Sequence, residues 1–147
     1  SAGVGGLSTA IGLKALGFDV DVFERSPSLR PTGAGLNLWP NAGRAIYGLG
    51  LREQYDAISV KLDRYLNHSS DGTLLLEKDN SDWQDRYGAS SVGIYRLGLI
   101  AMLADALGSG RIKLCSEVTS LADPVVNDVV LLQTAMSHKG SYHKVMS

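Results

Sequence analysis

Leu7, Ala10, Ile11, Leu13 and Leu16 recur at the three- and four-residue intervals that line one face of an α-helix, and Gly17 marks where that helix stops. From Asp19 to Phe23 polar and apolar residues alternate, the period of a strand with one buried face. Ser26-Pro27-Ser28 and Arg30-Pro31-Thr32-Gly33 break regular structure, so Arg25 to Ala34 reads as a loop beyond the strand's carboxyl end. Pro40 to Ile46 predicts a helix entered at its proline and closed by Gly48-Leu49-Gly50, with a short helix from Leu51 to about Ile58 behind it. Alternation returns at Leu62, Arg64 and Leu66 and again from Thr73 to Glu77; Ser69-Ser70-Asp71-Gly72 between them predicts a β-hairpin. The polar run from Lys78 to Ala89 reads as a loop or lid.

Ile94-Tyr95-Arg96 leads into apolar positions at helical spacing up to Leu107, ended by Gly108 and Gly110. Arg111 to Cys115 and Glu117 to Leu121 then predict a strand pair, with Cys115 as a small buried residue. Val125 to Leu132 fits one more strand, whereas Gln133 to Ser147 has little period and is expected to be frayed. Strands alternating with helices and glycine-rich turns predict the α/β class, with a parallel sheet flanked by helices and a small β excursion.

The chain has 147 residues, enough for one domain with a real core, and its 44% hydrophobic and 20% charged residues are ordinary for a globular fold. A net charge of -1 gives no electrostatic case for nucleic acid, and no apolar stretch approaches the ~20 residues of a membrane span. His68, His138, His143 and Cys115 lack ligand spacing, so no metal site is expected.

The chemistry sits at the start. Ser1-Ala2-Gly3-Val4-Gly5-Gly6 is G-x-G-x-x-G with Ser in the first glycine slot, and the first helix follows at once. In such a turn Gly3 lets backbone approach a pyrophosphate, Gly6 lets the helix pack closely on the neighbouring strand, and the helix start offers unpaired N–H groups. Glu24 lies 21 positions after Gly3 at the end of the alternating strand, where a carboxylate accepts hydrogen bonds from a ribose 2′-OH. That favours the unphosphorylated ribose of FAD or NAD over NADP.

Taken in order, Gly3-Val4-Gly5-Gly6-Leu7, Val22-Phe23-Glu24-Arg25, Gly33-Ala34-Gly35-Leu36-Asn37-Leu38-Trp39-Pro40-Asn41-Ala42 and Tyr95-Arg96-Leu97 resemble the group A flavoprotein monooxygenases. The branch is that of salicylate hydroxylase, urate hydroxylase and zeaxanthin epoxidase, and the match runs from Ser1 to about Leu121. The resemblance implies a Rossmann-like FAD-binding domain over residues 1–121 and an atypical, poorly ordered tail over 122–147. It also implies FAD as cofactor, NADH or NADPH as reductant, and hydroxylation or epoxidation of a small aromatic or cyclic substrate. Gly3, Gly5 and Gly6 would then meet the pyrophosphate, and Glu24, with Arg25 beside it, the adenosine ribose. Asn37 would lie beside the flavin, Arg96 would reach the ribityl-phosphate region, and Val118 would offer backbone groups to adenine.

Bland readings stand beside these. Arg96 also suits a helix start, Asn37 a turn, Trp39 a core or loop anchor, and Arg30 and Arg44 solvated charges. The resemblance further implies a strand before Ser1 and a Gly-Asp segment after residue 147. The chain is therefore expected to be a fragment lacking its first strand, inactive by itself, with no nameable catalytic residue. The alternatives are an NAD-dependent Rossmann oxidoreductase, against which the Gly33 to Ala42 segment argues, and a non-catalytic truncated or splice-derived chain.

Overall fold

The computed structural model describes residues 1–29, 33–126, 129–135 and 141–146, and from residue 121 onward the backbone alone. The chain divides into two compact units, residues 1–30 with 103–147, and residues 31–102.

The first unit opens with helix α1 (Val4–Ala15), which buries Leu7, Ala10 and Ile11; Leu13 and Leu16, expected on the same face, are exposed. It ends in a Schellman motif: Phe18 N–H donates to the Leu13 carbonyl and Gly17 N–H to that of Lys14, with Gly17 at φ +90°. The strand expected from Asp19 is only β1 (Val22–Phe23), with Val22 buried. Those two residues are the ones paired with a neighbouring strand; Asp19 and Asp21 lie beside Arg111, and Asp21 is also 3.7 Å from Lys113.

The second unit is built on an antiparallel sheet. Strand β2 (Gly35–Leu38) leads into helix α2 (Pro40–Gly48), which again ends in a Schellman motif at Gly50, and helix α3 (Arg52–Ile58) follows. Gly43 faces inward: a Cβ there would stand 3.1 Å from Ala89 Cβ and 3.6 Å from Tyr55 Cε1. Next come β3 (Ser59–Lys61), which the sequence pattern had not marked, and the expected hairpin of β4 (Arg64–His68) and β5 (Leu74–Asp79). In the hairpin turn Asp71 accepts hydrogen bonds from the Ser69 hydroxyl and, at 3.0 Å, from Thr73 N–H.

The run from Lys78 to Ala89 is not the loop it was expected to be. Lys78 and Asp79 complete β5, and Trp83–Tyr87 form helix α4, capped by Gly88 at φ +76°. Burial of Trp83, with Trp39 at 5.2 Å and Tyr87 at 5.7 Å between ring centroids, outweighs the polarity of the segment. Strand β6 (Val92–Tyr95) lies between β2 and β3, antiparallel to both, with Asn37 opposite Gly93.

Helix α5 (Arg96–Leu107) buries Leu99, Leu103 and Leu107 completely. Lys14 Nζ donates to its Leu107 carbonyl at 3.0 Å, a cation at a helix C-terminus. A 3₁₀ turn (Ser109–Arg111) leads to β7 (Ile112–Lys113), parallel to β1 with Val22 opposite Ile112. The predicted pairing of this segment with the next is not formed. Cys115 is exposed in a turn at φ +53°, because its N–H and that of Ser116 turn to meet the carbonyls of Ser26 (3.1 Å) and Glu24 (2.8 Å). The chain after residue 116 carries β8 (Glu117–Val126), β9 (Val129–Ala135) and β10 (Ser141–Met146), an antiparallel sheet ordered β10-β9-β8. Among the described residues the parallel sheet is thus confined to β1 and β7; the other pairings are antiparallel.

Candidate nucleotide site

Residues 1–6 form the turn that enters α1. Gly3 is its N-cap, in extended conformation at φ −81° and ψ 177°, with no side-chain cap bond, and no acidic residue stands in the first turn. The first backbone bond of the helix is Leu7 N–H to the Gly3 carbonyl at 3.0 Å, which leaves the preceding first-turn N–H groups without an intrahelical acceptor.

The three glycines are not equivalent. A Cβ on Gly5 would meet nothing within 4 Å, and one on Gly3 only the Ser1 hydroxyl oxygen at 3.7 Å. On Gly6 it would stand 2.0 Å from the Ser1 carbonyl oxygen. Within this chain the close approach at Gly6 is made by the backbone of Ser1, at the start of the turn. The fold requires glycine at position 6 and has no use for it at positions 3 and 5.

Glu24, just beyond β1, is the most connected residue here. Its N–H donates to the Lys113 carbonyl at 2.9 Å and its carbonyl accepts from Ser116 N–H. Its carboxylate accepts from Ser26 N–H through Oε1 (3.0 Å) and from Ala2 N–H through Oε2 (2.8 Å). The Ser26 bond, with that of Ala2 and against some desolvation, holds its pKa below the ordinary carboxylate value. Ala2, Ser26 and Ser116 escaped the sequence reading. Only Ser26 left a signal there, since an N–H two residues past an acidic side chain is a common local partner.

Ser1, Gly6, Ala10, Val22, Phe23 and Val118 are among the residues lining a groove of about 350 Å³. Gly3, Gly5, Gly6, Glu24, the exposed Arg25 and Val118 thus share one unit. Asn37 and Arg96 belong to the other. Asn37 is exposed on strand β2 rather than in a turn, and Arg96 N–H donates to the Ala34 carbonyl at 3.2 Å, two residues before Leu36. Trp39 is half exposed and stacked on Trp83, an anchor of its loop. Arg30 lies outside the described residues. Arg44 lines a separate cleft of about 300 Å³ with Lys78 and Trp83.

A glycine turn, a helix start without a side-chain cap, a strand and an acid just beyond it stand together at the start of a mixed helix–strand chain. No family model matches the chain. It is 36% identical over 129 residues to 3-amino-4-hydroxybenzoate 2-monooxygenase of Streptomyces cremeus, which is 84% of this chain and 33% of that protein. To 3-hydroxybenzoate 6-hydroxylase of Polaromonas naphthalenivorans it is 30% identical over 122 residues, 81% of this chain and 30% of the relative. The fold matches Klebsiella pneumoniae HpxO, solved in complex with FAD and uric acid, with a TM-score of 0.85 at 24% identity, over 99% of this chain and 36% of that one. 2-Methyl-3-hydroxypyridine-5-carboxylic acid oxygenase matches with a TM-score of 0.79 at 26% identity, over 99% of this chain and 36% of its own. The chain belongs to the group A flavoprotein monooxygenases, and it spans about a third of the length of the relatives it matches. Among the described residues no helix is long and apolar enough to cross a membrane.

Proposed function

We propose that this chain is the FAD-binding portion of a flavin-dependent hydroxylase whose whole protein uses NADH or NADPH to hydroxylate or epoxidise a small aromatic or cyclic molecule. The observation that carries the reading is the open backbone at Gly3 and Gly5. Two glycines that the fold does not need flank an uncapped helix start, and a pyrophosphate is a ligand that needs backbone bare of Cβ and N–H groups unpaired. The residues present therefore fit FAD.

When bound, the flavin supplies the redox chemistry that activates oxygen, and the protein supplies binding and orientation. The first-turn N–H groups of α1 receive the pyrophosphate. Glu24 accepts the ribose hydroxyls on lone pairs left over from Ala2 and Ser26, since each carboxylate oxygen offers two, and its charge disfavours a 2′-phosphate. Arg25 stands beside it, Val118 offers backbone to adenine, and Asn37 and Arg96 serve the flavin and ribityl-phosphate end. The aromatic or cyclic substrate class is supported by the hydroxybenzoates in the names of the relatives and the uric acid of the HpxO complex.

Fluorescence titration of FAD against the protein and its Glu24→Ala and Gly5→Ala variants tests the reading. Loss of a hydrogen bond to a charged group is worth about 1.5–3 kcal/mol, so Glu24→Ala weakens FAD roughly tenfold to a hundredfold. Equal affinity in all three proteins overturns the assignment of the site.

A further inference from the structure

Glu24 ties together three segments that are distant in sequence. Its carboxylate holds the turn before α1 through Ala2 N–H and the loop after β1 through Ser26 N–H, while its own backbone is held by Lys113 and Ser116. Ala2 is buried, so its N–H has little access to water as an alternative acceptor. The Ser1 carbonyl, one residue earlier, is the atom packed over Gly6. Displacing Ala2 therefore moves the backbone that defines the glycine turn.

We infer that Glu24 is a positioning residue as well as a ribose contact: its carboxylate fastens the Ala2–Gly6 turn to the end of β1 before the nucleotide arrives, so that the N–H cradle is preformed. The inference rests on the nucleotide reading of this site but predicts behaviour in the flavin-free protein. A residue that only touches ribose affects how fast FAD leaves. A residue that also sets the population of the binding-competent turn reduces apparent affinity by that fraction and slows association.

The isosteric Glu24→Gln variant separates the two roles. A Gln amide still bonds a ribose hydroxyl, as donor or acceptor, but its nitrogen replaces one of the two oxygens that separately hold Ala2 and Ser26, so at one of those places an N–H meets a donor. Amide hydrogen exchange of the flavin-free protein, followed by NMR, should show both amides protected in the unsubstituted chain. In Glu24→Gln one of them should exchange at least about tenfold faster, and stopped-flow FAD association should slow by a similar factor, with dissociation changed less. Identical exchange at Ala2 and Ser26 in the two proteins overturns the positioning role, as does an unchanged association rate beside faster dissociation. Should Glu24→Gln fail to fold, the unsubstituted protein still decides: Ala2 and Ser26 amides exchanging at open-chain rates overturn the inference. Absence of FAD binding by the unsubstituted protein counts against the proposed function, whereas the flavin-free exchange data judge the fastening by themselves.

Discussion

Gly6→Ala is the smallest change that tests the geometry of the turn. The added methyl carbon falls 2.0 Å from the Ser1 carbonyl oxygen and 3.2 Å from its carbonyl carbon. The first distance is about 1 Å shorter than real Cβ atoms show, and the obstacle is backbone, which cannot swing aside as a side chain can. The Ser1–Ala2 segment must move. Overpacking of this kind costs about 1–3 kcal/mol. Moving Ala2 also strains or breaks its bond to the Glu24 carboxylate, a charged hydrogen bond of about 1.5–3 kcal/mol. The better helix preference of Ala returns at most about 1 kcal/mol, less in a first turn. The net expectation is a loss on the order of 2–4 kcal/mol. Gly5→Ala, one residue away, is the control: it takes the same helix preference with nothing within 4 Å, so its stability should hold or rise by up to about 1 kcal/mol. Thermal unfolding of the two flavin-free variants by circular dichroism should therefore separate them by on the order of 10 °C. A Gly6→Ala protein that melts with Gly5→Ala or above it refutes the placement of Ser1 over the helix start.

The other expectations concern binding, pH and the hairpin. Gly5→Ala, though neutral or favourable to the fold, should weaken FAD at least about tenfold by placing a methyl where the pyrophosphate lies, as titration would show; unchanged affinity would mean that the open backbone is not the cradle. Glu24 has a lowered pKa in the folded chain, so its contribution to stability is present above the ordinary carboxylate pKa and is lost as pH falls through the folded value; Glu24→Gln should flatten this acid limb in urea titrations across pH. Tyr55, 1% exposed with its hydroxyl unpartnered, is pushed up to about 12 by burial and, to a lesser degree, by Tyr47 and Asp56. Its contribution is therefore complete below pH 10 and disappears as pH rises to about 12, and Tyr55→Phe should remove that alkaline limb while keeping or raising stability at pH 7 by up to about 1 kcal/mol. Asp71→Ala should speed exchange of the Thr73 amide without moving the global melting point, and an unchanged rate would show that the turn does not depend on the carboxylate.

Local pattern was enough for the elements whose stabilising contacts are close in sequence. Helix α1, its stop at Gly17, helix α2 and its stop at Gly50, the hairpin and helix α5 were all legible, because a helical face, a Schellman glycine and a tight turn are each specified within a few residues. The spacing of Gly3 and Glu24 likewise marked the candidate site, since a turn, a helix and a strand of ordinary length carry the acid back to the glycines. What needed the tertiary structure was every feature set by a partner far along the chain. The strand expected from Asp19 is confined to Val22 and Phe23, where Ile112 and Lys113 pair with it, and Cys115 leaves its expected strand so that the backbone can follow Glu24 and Ser26. Trp83 turns a polar segment into a helix because Trp39 is there to receive it. Sequence alone named Glu24 as an acid in the right place. That its two oxygens are held by Ala2 and Ser26, and that Gly6 is glycine because of Ser1, were decided by folding, since hydrogen-bond partners and excluded volume are properties of positions in space and periodicity records only which face is buried.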